Sequence, residues 1–156
     1  MPSRREIIAM TPEEVSAYLA EQRRIIIVTI GKDGMPHPMP MSYGVDDQGR
    51  IVIVTFRKSQ KVKNLERDPR ATLLVESGDG YDELKSVVLY CNVELLYDPE
   101  DIAANAGNMR VDQAMSDSLT ASMNEQVRSA MVKRVLLRLT PYRTISWDHS
   151  KLAGFY

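Results

Sequence analysis

The chain is short of the residues on which most small-domain chemistry is built. Its single cysteine, Cys91, excludes an internal disulfide framework and any cysteine-rich metal site. That cysteine ends the apolar run Val87-Val-Leu-Tyr-Cys91, where a thiol is expected to be buried and inert rather than nucleophilic. The only two histidines, His37 and His149, lack partners at zinc-ligand spacing, so no metal site is expected. No Ser-His-Asp or Cys-His arrangement is present, and neither is a G-x-G-x-x-G or Walker loop. The acidic residues scatter over helix starts and turns without an inward pair for acid–base work. No run approaches the roughly 18 apolar residues of a membrane span. The opening Met1-Pro-Ser-Arg-Arg-Glu6 has no apolar signal core behind it, and the expectation is a soluble, cytoplasmic chain with no membrane partner. A net charge of −1 and the scarcity of aromatics beside the lysines argue against a nucleic-acid module. If the chain is an enzyme, its reactive group is borrowed from a cofactor, and the protein supplies placement and electrostatics.

What is present reads as one domain spanning residues 1–156, long enough to bury a sizeable core. Thr11-Pro12-Glu13-Glu14 is a helix start: Thr11 caps, Pro12 takes the first helical position and Glu14 completes a capping box. Val15, Tyr18 and Leu19 give that helix an apolar face as far as about Gln22. Arg24 to Ile30 is a strand too continuously apolar to have a wet side, and Gly31-Lys-Asp-Gly34 is a hairpin turn. In the next strand Pro36, Pro38 and Pro40 alternate with His37, Met39 and Met41, so all three prolines remove donors from one edge. That edge is either simple protection against aggregation or an opening where a planar ligand can lie. The strand runs on through Ser42 to Val45, turns at Asp46 to Gly49, and returns as Arg50 to Phe56.

Further strands are read at Arg70–Glu76, Lys85–Tyr97 and Arg134–Thr140, the last ending at Pro141 and extended or restarted by Thr144–Trp147. A helix starts at Asp98-Pro99 and is interrupted at Gly107. Beyond it Val111, Met115, Leu119, Met123, Val127 and Met131 recur every four residues, a stripe read as core or dimer packing. Short strands joined mostly by hairpins, with peripheral helices, indicate a closed or partly closed antiparallel barrel.

The stretch Arg57-Lys-Ser-Gln-Lys-Val-Lys-Asn-Leu-Glu-Arg-Asp-Pro69 organises this reading. It follows a β-branched strand, Ile51 to Thr55, and opens a short helix with Ser59 as N-cap, its hydroxyl positioned to accept a first-turn amide. Val62 and Leu65 form the apolar face, and Asp68-Pro69 stops the helix. A helix start carries free N–H groups and partial positive charge, so Arg57, Lys58, Lys61 and Lys63 around it make either a solvated basic surface or a pocket for a phosphate or carboxylate. The sole tryptophan, Trp147, is either a core or interface anchor or an aromatic wall beside a bound ring.

Three stretches carry a family resemblance. Val28-Thr-Ile30 with Asp33-Gly-Met-Pro-His-Pro-Met-Pro-Met-Ser-Tyr43, and then Lys58-Ser-Gln-Lys-Val-Lys-Asn-Leu-Glu-Arg-Asp-Pro-Arg-Ala-Thr-Leu-Leu-Val75, resemble the pyridoxamine 5′-phosphate oxidase-like split barrels. The ending Ile145-Ser-Trp-Asp-His-Ser-Lys-Leu-Ala-Gly154 is similar to their deazaflavin-dependent branch. The resemblance spans about residues 11 to 154 and implies a mainly β fold with peripheral helices, a six-stranded antiparallel split β-barrel. It further implies a homodimer with the cofactor at the subunit interface. The ring system would touch Pro40, Met41, Ser42 and Tyr43 and the backbone around Val54 and Thr55. Its phosphate would sit on Ser59, Gln60 and Lys61, with Lys58 or Arg57 adding charge, and Trp147 and Lys151 would close the site from the other chain. The cofactor so implied is coenzyme F-420, a deazaflavin with an oligoglutamate tail, or FMN. The activity implied is hydride transfer to a small unsaturated or quinone-like substrate with no side-chain acid. The alternative is a non-catalytic flavin or haem binder on the same barrel. The arginine-rich C-terminal segment of true pyridoxamine phosphate oxidases is missing, so that vitamer is not the expected substrate.

Overall fold

A computed structural model describes residues 1–106 and 125–154. Ser3 and Thr11 each cap a helix through a complete capping box, giving α1 (Arg4–Ile8) and α2 (Pro12–Glu21). The strands are β1 (Arg24–Ile30), β2 (Pro36–Ser42), β3 (Gly44–Val45), β4 (Ile51–Phe56), β5 (Arg70–Ser77), β6 (Lys85–Leu96) and β7 (Arg134–Asp148). Helix α3 (Gln60–Arg67) follows β4; α4 (Pro99–Ala106) and α5 (Glu125–Met131) lie between β6 and β7; and two 3-10 turns cover Tyr81–Glu83 and His149–Leu152. The Met-stripe positions Val111, Met115, Leu119 and Met123, and Gly107, lie outside the described residues. Met131 is buried.

All strands form one antiparallel sheet in the order β2-β1-β5-β6-β7-β4-β3. The first and last members of that order are neighbours in the chain, separated only by Tyr43, so the sheet curls until its ends meet. The second strand of the sequence reading is therefore two pieces, which makes seven strands where six were expected. Tyr43 causes the break: its ring turns into the core, 2% exposed, and its hydroxyl donates to the Leu19 carbonyl at 2.6 Å.

Both hairpins form as expected, with Gly34 and Gly49 taking the positive φ that other residues resist (83° and 76°). The proline strand β2 pairs only with β1, Ile30 opposite Pro36 and Arg24 opposite Ser42, and its other edge carries the missing donors. Strand β1 is drier on one side than the other: Ile25, Ile27 and Thr29 are buried, whereas Ile26, Val28 and Ile30 are half-buried. The last strand does not stop at Pro141; it runs through, with a bulge opposite Tyr90 and Cys91.

The core fills the barrel interior with Ile25, Ile27, Ile53, Leu73, Leu89 and Leu137 and is closed at one end by Val62 and Leu65 of α3. A smaller cluster on the outer face joins Val52 and Leu136 to Ile102 of α4 and Met131 of α5. One buried polar pair attaches α3 to the wall: the Asn64 amide donates to the Thr29 hydroxyl at 3.0 Å, both residues 0% exposed. Beside it the Arg67 guanidinium donates to the Ile30 carbonyl at 2.6 Å.

Asn64→Ala leaves the Thr29 hydroxyl buried and unpaired, and should cost about 2–3 kcal/mol of stability in urea unfolding. Pairing it with Thr29→Val should return part of that loss; a double variant as unstable as the sum of the singles would exclude this coupling.

Asp46 organises the β3–β4 turn by accepting from the Gln48 and Arg50 amides and the Arg50 guanidinium at 2.7–2.9 Å. Burial pushes its carboxyl upward, but these three donors outweigh burial and hold it below the ordinary carboxylate range. A depressed folded-state value means that the contribution is present above the unfolded-state range and is lost as pH falls through the folded-state value. Asp46→Asn should cost about 1–3 kcal/mol at neutral pH. It should also flatten the acid limb of a stability–pH profile; an unchanged acid limb would count against this role.

Candidate functional site

Strand β4 ends at Phe56, and the chain turns at once into α3. Ser59 occupies the N-cap position with extended backbone (φ −69°, ψ 152°), but its hydroxyl makes no capping bond. That corrects the sequence reading. The Val62 and Lys63 amides instead donate to the Ser59 backbone carbonyl at 3.2 and 3.3 Å, so the side chain is not needed there. The Ser59 Oγ is enclosed with no hydrogen-bond partner. Among the described residues the Gln60 and Lys61 amides also lack acceptors, as the first turn of a helix leaves them.

Lys61 is the less expected feature. It is 6% exposed, and no carboxylate or carbonyl among the described residues pairs with its ammonium. Burial alone lowers its pKa from the ordinary lysine range. A largely buried lysine, an unpartnered hydroxyl and two free amides thus belong to one helix start, where an anion would be stabilised.

Arg57 is used differently. Its guanidinium donates to the Arg134 carbonyl at 2.6 Å and to the Tyr97 carbonyl, and lies 5.1 Å from the Tyr97 ring centroid. It binds β4 to the chain flanking β6 and β7, and contributes positive potential at the helix start. Lys58 and Lys63 are exposed. Gln60 donates to Asn64 Oδ1 at 2.9 Å, which places its side chain on the polar pair holding α3 down.

Between the β1–β2 hairpin and the start of α3 lies a cleft of about 450 Å³, lined by Lys32, Met35, His37, Gln60 and Asn64. His37 Nδ1 is enclosed there without a partner. The site residues therefore come together in part. Gln60 shares that cleft with the Pro36–His37 end of β2, because α3 is docked on the Ile30 end of β1. Pro40 to Tyr43 occupy the far end of that strand, roughly 10–20 Å away at about 3.3 Å per residue. Pro40 and Ser42 are exposed and Met41 is half-buried. Val54 packs on the outer cluster, and Thr55, 4% exposed, faces the core.

Trp147 and Lys151 are not near α3 in the same chain. Arg134 opens β7 beside Phe56, whereas Trp147 lies at the other end of that 15-residue strand, opposite Ser86. The half-buried Trp147 lines a small cleft with Arg5, Ile8 and His149. The Lys151 ammonium reaches the Ala9 carbonyl at 2.8 Å and the Glu14 carboxylate at 2.6 Å, fastening the C-terminal turn to α2. Sequence reasoning missed the Asn64–Thr29 pair, although a polar residue between Val62 and Leu65 is a signal for a buried polar contact.

Comparison with known proteins agrees with this architecture. The chain is similar to a conserved hypothetical protein, Rv2991, from Mycobacterium tuberculosis, at 34% identity over 97% of this chain and 93% of that one, with a TM-score of 0.79. An F420 reductase aligns at 18% identity over 86% of this chain and 98% of its own, with a TM-score of 0.62. A FAD-binding protein from Mesorhizobium loti aligns at 19% over 88% and 94%, with a TM-score of 0.66. At those identities the last two share the fold alone. The family model for pyridoxamine 5′-phosphate oxidase matches residues 11–148, which takes in the curled sheet and the lysine-bearing helix start, and the chain belongs to that family.

Proposed function

We propose that the protein is an oxidoreductase that passes a hydride between a bound deazaflavin, coenzyme F-420, and a small unsaturated or quinone-like substrate. The observation that carries this reading is Lys61, a largely buried lysine with no countercharge among the described residues, two positions after the unpartnered Ser59 hydroxyl. A cation with reduced hydration and no countercharge gains when an anion arrives, and both coenzyme F-420 and FMN carry a phosphate. Ser59, Gln60 and Lys61 would hold that phosphate, and Arg57 would add field without contact. When bound, the ring supplies the hydride chemistry; this chain binds and orients it and needs no acid of its own. Exposed Lys58 and Lys63 favour the deazaflavin, whose oligoglutamate tail brings further negative charge. The F420 reductase among proteins of the same fold supports the same choice. FMN is the second reading, since the phosphate seat suits it equally.

Lys61→Met removes the charge while keeping an apolar stem in a buried place. Cofactor affinity, titrated by fluorescence for both cofactors side by side, should fall at least tenfold. The melting temperature of the ligand-free protein should hold or rise, because an unpaired buried charge is lost. Wild-type affinity should also weaken with rising pH before the ordinary lysine range is reached, since burial lowers the Lys61 pKa and only the charged form attracts phosphate. An affinity unchanged by Lys61→Met would rule the seat out.

The same reading includes a homodimer with the cofactor between subunits, which would let Trp147 and Lys151 close the site from a second copy. Its support is an outer sheet face left uncovered by the described residues: Ile26, Val28, Leu74 and Val88 are half-exposed and belong to neither core cluster. Sedimentation equilibrium should give twice the chain mass, and Val28→Arg should give a folded monomer. A monomeric wild type at micromolar concentration would exclude the arrangement.

A further inference from the structure

The barrel wall has a gap away from α3. Strand β4 pairs with β7 only from Ile51–Leu139 to Phe56–Arg134, whereas β7 continues to Asp148 with β6 alone beside it. Strand β3 pairs only with β4, so the second half of β7 has a free edge facing the β3–β4 turn. Helix α2 lies across this gap, and beneath it is a cleft of about 420 Å³.

The register explains why the space is empty. Inward positions of β7 are Leu137 and Leu139 while it pairs with β4, and both are fully buried. After the bulge the residues opposite the inward Leu89 and Val87 are Thr144 and Ser146. Small polar side chains thus replace leucine where the wall opens. Helix α2 cannot settle into the space, because it is held on three sides. Tyr18 bonds Ser77 Oγ at 2.8 Å and donates to the Lys85 carbonyl at 3.1 Å. The Leu19 carbonyl accepts from Tyr43, and Glu14 pairs with Lys151. The cleft is therefore preformed, open to solvent along Ser16 and Thr144 and floored by buried Leu19 and Leu89.

Its chemistry is one-sided. Met10, Val15, Leu19, Val45 and Leu89 make the walls, and no charged side chain among the described residues lines it. The polar groups are the hydroxyls of Ser16, Thr144 and Ser146. Ser146 Oγ already accepts from the Met10 amide at 3.1 Å, which leaves its own proton to donate. An ion entering here would lose its hydration with nothing to replace it. The volume lies within the range of small-molecule sites, about 300–1,000 Å³.

We propose that this cleft is a binding site for a neutral, largely apolar small molecule bearing a hydrogen-bond acceptor such as a carbonyl, separate from the anion seat at α3. The acceptor takes the hydroxyl proton of Ser146 or Thr144, and the apolar body lies along α2. The test uses Prodan, a neutral naphthalene ketone whose emission moves to the blue in apolar surroundings, with the full-length chain. Binding should saturate at one molecule per chain. Ser16→Trp and Thr144→Trp fill the cleft from opposite walls at exposed positions, and each should weaken Prodan at least tenfold while the far-ultraviolet dichroism is unchanged. The anionic dye 1-anilinonaphthalene-8-sulfonate should bind at least tenfold more weakly than Prodan. Lys61→Met should leave Prodan binding unaltered, which separates this site from the cofactor reading. If one tryptophan variant fails to fold, the other carries the test. Equal Prodan affinity in a folded tryptophan variant would overturn the proposal, as would equal binding of the sulfonate. Prodan binding that declines as the chain is concentrated would assign the cleft to a second copy and overturn it too.

Discussion

Lys61 is largely buried because the helix that carries it is docked on the barrel. Val62 and Leu65 on one face of α3 are fully buried, and the Asn64–Thr29 hydrogen bond joins that face to β1 inside the core. Lys61 precedes Val62, so the docking that buries the apolar residues carries the lysine in with them. A surface lysine would remain hydrated and attract phosphate weakly, because water screens the charge. Here burial reduces the screening before any ligand arrives, and the Ser59 hydroxyl and two free amides belong to the same helix start. Positive charge without a partner is unfavourable for the empty protein, which is the condition for strong differential stabilisation on binding.

The rest of the fold sets where that charge sits. The sheet closes because β2 and β3 are consecutive pieces of chain, and Tyr43 anchors their junction beneath α2. Closure is incomplete in two places for two reasons. On β2 the prolines deprive the outer edge of donors, so no further strand can add there. On β7 the bulge and the change from leucine to threonine and serine stop the core from filling the wall. One barrel therefore carries a basic helix start at α3 and a neutral cleft under α2, built from different residues. The family relationship fixes the architecture, and the chemistry of this member rests on these local features.

Much of this was legible in the residues alone. Thr11-Pro12-Glu13-Glu14 and Asp98-Pro99 carry their helix starts in local hydrogen-bond chemistry, and both glycine turns follow from backbone φ. The apolar face of α3 was visible as Val62 and Leu65, and its stop as Asp68-Pro69. The break at Tyr43 was not, since an aromatic in an alternating run looks like any strand residue until it has a core to enter. Nor was the idle hydroxyl of Ser59: a capping serine and an uncapping one have the same sequence, and the backbone carbonyl took the amides instead. Trp147 and Lys151 lie at the opposite end of β7 from α3 within one chain, and the family likeness assigns them to the site of a second copy.

The sequence by itself determined the elements, the single antiparallel barrel and the location of positive charge along the chain, because these follow from short-range periodicity, caps and turns. Only the tertiary structure decided which lysine is largely buried, which edge stays open and where the wall leaves a cleft. Those outcomes depend on strands distant in sequence meeting in a particular register. Solvent is excluded by neighbours that no local pattern identifies.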